Sequence, residues 1–443
     1  MRKIDWHVVP WLALLYLLNF LDRGSIGNAK LYDMTQDLHI TDKQYLIALT
    51  VFFFPYALFE PPSNVALKKL RPSMWLSFIM LVWGIAMTLH GVVTNYAGLV
   101  GLRFLLGLAE AGLYPGVIFY MTCWYKRDEL GSRVGVFFSS ATIAGAFSGL
   151  LAAAISKMDG IGGKPGWAWI FILEGLFTII CAIASFFILS DFPDTAKFLT
   201  EAERVWVVRR QQADMKFSAA GEPFKMKYIW QALADWKTWL AMGIYMGFDG
   251  PLFATAANLL SVPVYAWGCI MTVIVGFWGD RAKTRAWVNL ALFSSGLIGY
   301  IILICSSNPS LSYFAVYLAI SAWVSANVEG SYKRSAVLGM AIGWGNLNGA
   351  VTSNVYRAVD KPWYRLGHGI VLAYIAIGWL SSLALYFLLK RENARRERGT
   401  PQRDEVVEGV ESKTAHERNG IFPSVQAARM EKGDAWSGFR YTL

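Results

Sequence analysis

Residues 8–30 read VVPWLALLYLLNFLDRGSIGNAK, an apolar run that turns polar at Asp22 and Arg23. A helix that crosses a membrane needs about 20 mainly apolar residues. If this helix begins near Val8, Asp22 lies about 21 Å along it at about 1.5 Å per residue, within a hydrocarbon core of about 30 Å. The stretch therefore predicts a membrane helix with two adjacent charged side chains at membrane depth.

Apolar runs of this kind recur along the chain of 443 residues, of which 55% are hydrophobic and 16% charged. A soluble domain carries about 25% charged residues. We therefore predict an all-α polytopic membrane protein. Its candidate spans are twelve, at residues 8–26, 44–67, 73–93, 97–124, 134–155, 167–190, 238–254, 257–279, 286–305, 311–327, 336–356 and 366–390.

A polar stretch between the sixth and seventh runs divides the chain into two halves. Within it, Thr200 and Glu203 have the spacing of a capping box, which predicts a short surface helix. The mixed-charge residues after the last run predict a disordered tail. We predict a six-helix bundle at 1–190, a cytoplasmic linker at 191–236, a second helix bundle at 237–390 and the tail at 391–443.

The positive residues indicate the orientation of the chain. Lys and Arg follow the second, fourth, eighth, tenth and twelfth runs, whereas the loops after the third and ninth runs contain neither. Cytoplasmic loops carry such an excess. Both termini are therefore predicted to be cytoplasmic in a multi-pass protein of the plasma membrane. The net charge of +10 is assigned to these loops and the lipid surface rather than to nucleic acid.

The loop after the eighth run reads GFWGDRAKTR and contains Gly276, Asp280, Arg281 and Arg285. An Asp-Arg pair and a following Arg can join neighbouring helix ends through charge-assisted hydrogen bonds. Glycine allows those helices to approach closely. These four residues are predicted to form a conformational-gating loop.

This Gly-x-x-x-Asp-Arg-x-x-x-Arg loop resembles the signature loop of the major facilitator superfamily, and Arg103 with Gly107 resembles its Arg-x-x-x-Gly motif. Residues 103–135 and 327–357 resemble the fungal allantoate permease-like branch of the anion:cation symporter family. The resemblance implies the major facilitator fold of two six-helix bundles. It also implies uptake of carboxylates and related small organic anions, including nicotinate, pantothenate and biotin.

Charged side chains inside a span cost about 2.5–3.5 kcal/mol or more each, which makes them functional candidates. Adjacent helical residues point about 100° apart, so Asp22 and Arg23 cannot reach the same point. Arg103 and Glu110 are two turns apart and share a helix face. Glu174 lies near the start of its span, where it is expected to bond to backbone, with a functional role as the alternative.

An arginine keeps its proton and offers two parallel donors to a carboxylate. Arg23 is therefore predicted to bind the substrate. Asp22 and Glu110 are predicted to carry protons across the membrane, with Arg103 as the charge partner of Asp22. The family resemblance implies the same roles for these four residues. The competing interpretation is structural: Arg103 only neutralises Asp22 and holds two helices together.

Further polar side chains are candidates for the cavity wall. Tyr56 and Tyr114 are predicted to contribute aromatic surfaces. Asn346, Asn348 and Asn354 in the eleventh span are predicted either to bind substrate or to bridge helices.

The leading function is proton-coupled symport of a small organic anion by alternating access of the two bundles, in a monomer. The chain has no Walker loop, no nucleophile elbow and no metal-ligand spacing. We therefore predict no enzyme activity, no cofactor and no metal. A nutrient sensor that binds without transporting is the alternative.

The second half is shorter than the first, although superfamily halves are repeats of similar size, which predicts a loss of about 35 residues. The resemblance places the losses near residues 252–255 and 320–321, so the seventh and tenth spans are predicted to be shortened. A transport-impaired splice or gene-model variant would explain them. A functional transporter with short helices is the competing explanation.

Overall fold

The computed structural model describes the first half of the chain continuously and the second half in segments. The described residues are 1–213, 230, 233–254, 267, 270, 274, 285–306, 308–316, 340, 344–345, 347, 349–351, 354–355 and 363–398.

The described residues fold into α-helices joined by short turns. The helices are α1 (Arg2–Leu31), α2 (Met34–Asp37), α3 (Asp42–Lys69), α4 (Pro72–His90), α5 (Tyr96–Glu110), α6 (Leu113–Trp124), α7 (Arg127–Ile155), α8 (Gly166–Ile188), α9 (Glu201–Ala213), α10 (Trp236–Ala254), α11 (Arg285–Cys305), α12 (Pro309–Val316) and α13 (Arg365–Arg398).

Seven helical spans within the described residues are long and apolar enough to cross a membrane, and an eighth counts if bent α7 is one span. Five of the six spans predicted for the first half are among the seven, with α5 and α6 forming one span, Tyr96–Trp124, and the bent α7 corresponds to the remaining one. In the second half, α11 and α13 match the ninth and twelfth predicted spans. Most of the eighth and eleventh lies outside the described residues, so a total of twelve stays a prediction.

The first bundle is held together by close contacts between helix backbones. Helix α4 packs along α8, α1 along α7, and α3 along α5. A Cβ added to Gly175 would lie 2.5 Å from the backbone nitrogen of Thr88, and one added to Gly91 would lie 2.6 Å from the carbonyl oxygen of Ala168. Glycine at these positions brings α4 and α8 into direct contact, as is common in membrane helix packing.

Gly107 is where α5 crosses α3. A Cβ at this position would lie 2.1 Å from the carbonyl oxygen of Phe52, whereas Gly101 on the same helix has nothing within 4 Å. We expect Gly107→Ala to destabilise the protein by about 1–3 kcal/mol through overpacking, because a backbone atom cannot move aside.

The matched control for this prediction is Gly101→Ala, where added helix propensity of about 0.5–1 kcal/mol meets no steric clash. Thermal unfolding of the detergent-solubilised variants, followed by gel filtration, would measure both. Equal unfolding temperatures for the two variants would contradict the crossing at Gly107.

The predicted surface helix of the linker is present as α9 and begins with the predicted capping box. The backbone N–H of Thr200 donates to Glu203 Oε2 (2.8 Å), and the N–H of Glu203 donates to Thr200 Oγ1 (3.4 Å). Lys3 Nζ lies 2.9 Å from the same carboxylate, and this hydrogen bond, with those from Thr200, lowers the pKa of Glu203 to about 2. Arg210 also pairs with Glu129. The linker is therefore tied to the end of the bundle that carries the N-terminus, called here the linker end.

The last helix extends further than the sequence predicted. We predicted the span to end at Lys390 and the tail to begin at residue 391, but α13 continues to Arg398. Glu392 bonds to Arg395 and Arg396, three and four residues further along. Pairs at this spacing stabilise a solvent-exposed helical turn, which explains the extension.

Candidate functional site

The polar residues of α1 form two separate faces at the depth of Asp22. Asn19 and Arg23 are four residues apart and both contact Glu110 of α5. Asp22 and Ser25 are three residues apart and both contact α8. Since residues three or four apart share a helix face, α1 presents one polar face to α5 and another to α8.

The first face holds an ion pair. Arg23 Nε donates to Glu110 Oε1, and Asn19 Nδ2 donates to the same oxygen (2.6 Å). Among the described residues, Glu110 Oε2 has no hydrogen-bond partner. The side chain of Glu110 is 0% exposed, whereas 13% of Arg23 remains accessible. Arg23 therefore connects a fully buried carboxylate to accessible space.

Aromatic rings surround the Arg23 guanidinium. Its central carbon lies 4.6 Å from the ring centroid of Tyr56 and 5.5 Å from those of Phe20 and Phe52. Rings at these distances attract a cation through their quadrupoles. They also fix the orientation of the guanidinium, so the predicted wall residue Tyr56 lies directly at Arg23.

Asp22 lies on the other face and is fully buried. Its Oδ2 accepts hydrogen bonds from Trp83 Nε1 on α4 (2.7 Å) and Thr178 Oγ1 on α8 (3.1 Å). The prediction that Asp22 and Arg23 reach different partners is confirmed by these contacts. The prediction that Arg103 pairs with Asp22 was wrong in that no direct bond joins them.

The structure shows no ion pair between Asp22 and Arg103. Arg103 is buried on α5, and its Nε and Nη2 have no hydrogen-bond partner in the part of the chain that is described. The uncharged donors Trp83 and Thr178 bond to the Asp22 carboxylate instead. Arg103 contributes long-range charge to Asp22 and Glu110 without a direct bond.

The other predicted cavity residues that the structure describes make different contacts. Tyr114 stacks on Tyr16 with ring centroids 5.4 Å apart, and Tyr16 in turn lies 5.0 Å from Phe20, one of the rings around Arg23. Asn354 donates to Thr50 Oγ1 (2.7 Å) and so bridges the two halves, which was one of its two predicted roles. Outside the described residues lie Asn346, Asn348, Gly276, Asp280 and Arg281, and the side chain of Arg285.

Sequence reasoning did not single out several members of the site. Glu60 of α3 is fully buried and contributes electrostatically at Tyr56. It precedes Pro61 and Pro62, and α3 continues through both prolines to Lys69, as the predicted span at 44–67 required. Asn19 could have been identified from the sequence, because it is a polar residue one helical turn before Arg23 in an apolar run.

The described residues contain no group of three or more His, Cys, Asp or Glu side chains that could hold a metal ion. The site is built from Asp22 on one face of α1, the Arg23–Glu110 pair between its other face and α5, and the buried Arg103. Its polar contacts are an ion pair and hydrogen bonds to carboxylate oxygens.

Helical spans that enclose buried charges define a polytopic membrane protein with a polar central site. Residues 12–385 match the Major Facilitator Superfamily. The chain belongs to this superfamily of transporters, and it is not an enzyme.

Several fungal transporters are similar to this chain. The "MFS-type transporter cnsO" of Penicillium expansum is 33% identical, over 89% of this chain and 84% of that protein. The "Uncharacterized transporter C1683.12" of Schizosaccharomyces pombe is 33% identical, over 95% of this chain and 90% of that one. The "High-affinity nicotinic acid transporter" of Saccharomyces cerevisiae is 30% identical, over 89% and 78% respectively.

Proposed function

We propose that the chain is a proton-coupled symporter of a small organic anion, in which Arg23 binds the carboxylate of the substrate. The ion pair of Arg23 and Glu110 is the observation that carries this proposal. A buried carboxylate paired with an accessible arginine makes the arginine's availability depend on one proton. That dependence is what symport requires.

The two oxygens of Glu110 have different roles in this mechanism. Oε1 accepts from both Arg23 and Asn19, which leaves Oε2, without a partner among the described residues, to receive the proton. Protonation removes the negative charge that Arg23 neutralises. The guanidinium then has an unbalanced charge in a desolvated site, and a substrate carboxylate restores the balance.

Release of the substrate depends on the same balance of charge at Arg23. When the bundles rock to open the other side, loss of the proton re-forms the Arg23–Glu110 pair and displaces the anion. Substrate and proton therefore enter and leave together. Asp22, in contact with α4 and α8, is proposed as a second proton carrier.

The substrate class is proposed to be a carboxylate, a vitamin or an allantoate-like anion, as in the fungal allantoate permease-like branch. The rings of Tyr56, Phe20 and Phe52 beside Arg23 suit a planar organic acid. One relative is named as a nicotinic acid transporter, which makes nicotinate the first compound to test.

We further propose a monomer in the plasma membrane with both termini cytoplasmic. Lys3, Arg133 and Arg210 lie at the linker end of the first bundle, where they bond to acidic side chains. An excess of Lys and Arg marks the cytoplasmic side. We propose the organic anion and protons as the other partners of the chain.

Uptake of radiolabelled nicotinate, pantothenate and biotin by cells that express the chain would test this function. We expect at least one of these acids to accumulate faster at acidic than at mildly alkaline external pH. A dissipated proton gradient should abolish the difference. Binding without accumulation would instead favour the nutrient sensor.

A second proposal concerns the shortened second half. The alignment with the Penicillium relative extends over 441 positions, although only 89% of this chain takes part in it. Parts of that relative therefore have no counterpart here, which supports the predicted losses. If they fall near residues 252–255 and 320–321, the chain is a splice or gene-model variant with impaired transport. Full-length transcript sequencing decides this: a single transcript without these segments, encoding an active transporter, would contradict it.

A further inference from the structure

Two carboxyl groups lie where α1 contacts α8, on a different face of α1 from the Arg23–Glu110 pair. Ser25 Oγ and Glu174 Oε2 are hydrogen-bonded between α1 and α8, one turn from the contact of Thr178 with Asp22. Asp22 is fully buried and Glu174 is 5% exposed. Two acidic side chains therefore share one interhelical layer.

Proton counting at Ser25 favours a neutral Glu174. The Ser25 hydroxyl has one proton but two oxygens within hydrogen-bond distance, the carbonyl oxygen of Leu21 (2.9 Å) and Glu174 Oε2. A hydroxyl donates once and accepts through its lone pairs. With Ser25 as the donor in both contacts, its one proton would be divided between two acceptors. A proton on Glu174, donated to Ser25 Oγ, satisfies both contacts fully.

The surroundings of Asp22 favour the opposite state. Its Oδ2 accepts from both Trp83 and Thr178, and the Trp83 indole N–H is a donor that cannot accept from a protonated carboxyl. Arg103 lies within electrostatic range of Asp22. An ionised Asp22 is therefore supported by two donors and one distant cation.

Among the described residues, the other groups around this layer provide no cation for a second negative charge. His90 of α4 stacks on Phe171, one turn from Glu174, and its Nδ1 bonds to the carbonyl oxygen of Ala86. From α7 the group at this level is Ser148, which lies against Gly24. In the described part of the chain, Asp22 Oδ1 and Glu174 Oε1 have no partners. A buried charge without a partner is strongly unfavourable.

We propose that Asp22 and Glu174 form a two-carboxyl site that holds one proton between α1, α4 and α8, separate from the anion site at Arg23. Glu174 holds the proton at rest, and Ser25 is its acceptor. Two carboxyl groups in one desolvated layer share a proton because both cannot ionise at low cost. The site's use in transport rests on the proposed function, whereas its existence does not.

Infrared spectroscopy of the purified full-length chain in lipid nanodiscs tests the site without any substrate. A protonated carboxyl has a C=O stretching band that a carboxylate lacks. At neutral pH we expect such a band in the wild type, its loss in Glu174→Gln, and its retention in Glu201→Gln. Glu201 is the matched control because its side chain is 83% exposed on α9.

A Ser25→Ala variant covers the case in which Glu174→Gln does not fold. It keeps both carboxyls and removes the acceptor, so the band should remain and shift to higher frequency. Absence of the band from the wild type, its full retention in Glu174→Gln, or an unshifted band in Ser25→Ala would each overturn the site. A normal band in a protein that transports none of the acids would instead leave the site intact and reject the proposed function.

Discussion

Glu110→Gln is expected to abolish accumulation of the substrate while preserving its exchange across the membrane. Glutamine keeps an oxygen that can accept from Arg23 and Asn19 but has no proton to gain or lose. One pH unit corresponds to about 1.36 kcal/mol, or about tenfold accumulation for one coupled proton. In the variant, the ratio of internal to external substrate should fall to about one whatever the pH gradient.

The control for Glu110→Gln is a variant that loses one carboxylate elsewhere in the chain. Glu201→Gln makes the same chemical change at an exposed position on the linker helix and should accumulate substrate as the wild type does. Counterflow exchange, measured with labelled substrate outside and unlabelled substrate inside, checks that Glu110→Gln still binds. If Glu110→Gln concentrates substrate against a gradient, Glu110 does not couple the proton.

Arg23→Lys should weaken substrate binding sharply without removing the positive charge. Lysine loses the planar pair of donors and the stacking on Tyr56, which lies 4.6 Å away. A hydrogen bond to a charged group is worth about 1.5–3 kcal/mol, so KM should rise about tenfold to 150-fold. Concentration-dependent uptake measures this change.

Arg209→Lys serves as the control, since Arg209 is exposed on α9 and touches no part of the site. Surface labelling should show both variants at the membrane in equal amounts. A normal KM for Arg23→Lys would remove Arg23 from the substrate site and leave the Arg23–Glu110 pair with a structural role only.

The sequence predicted the helices of the first half well because hydrophobic length is a local property. The run around Asp22 and Arg23 is apolar enough to define α1 without any knowledge of its neighbours. Helical geometry alone also separated the directions of these two adjacent residues. The capping box at Thr200 is local in the same way, and it marks the start of α9 correctly.

Partner choice was less predictable because it depends on how each helix is rotated about its axis. Arg103 has the right depth to meet Asp22, yet α4 and α8 place Trp83 and Thr178 against that carboxylate first. Opposite charge predicts ion pairs, and it does not predict uncharged donors such as Trp83 and Thr178. Glu174 was assigned to a helix end for the same reason, since its contact with Ser25 is set by tertiary packing.

The most direct test of the central claim is proton movement in proteoliposomes that contain the purified chain and a pH-sensitive dye in the lumen. Addition of nicotinate, pantothenate or biotin outside should acidify the lumen for at least one acid, in proportion to the amount that enters. Glu110→Gln should exchange that acid without acidification. Entry of the acid into wild-type liposomes with no change in lumenal pH would contradict proton-coupled symport.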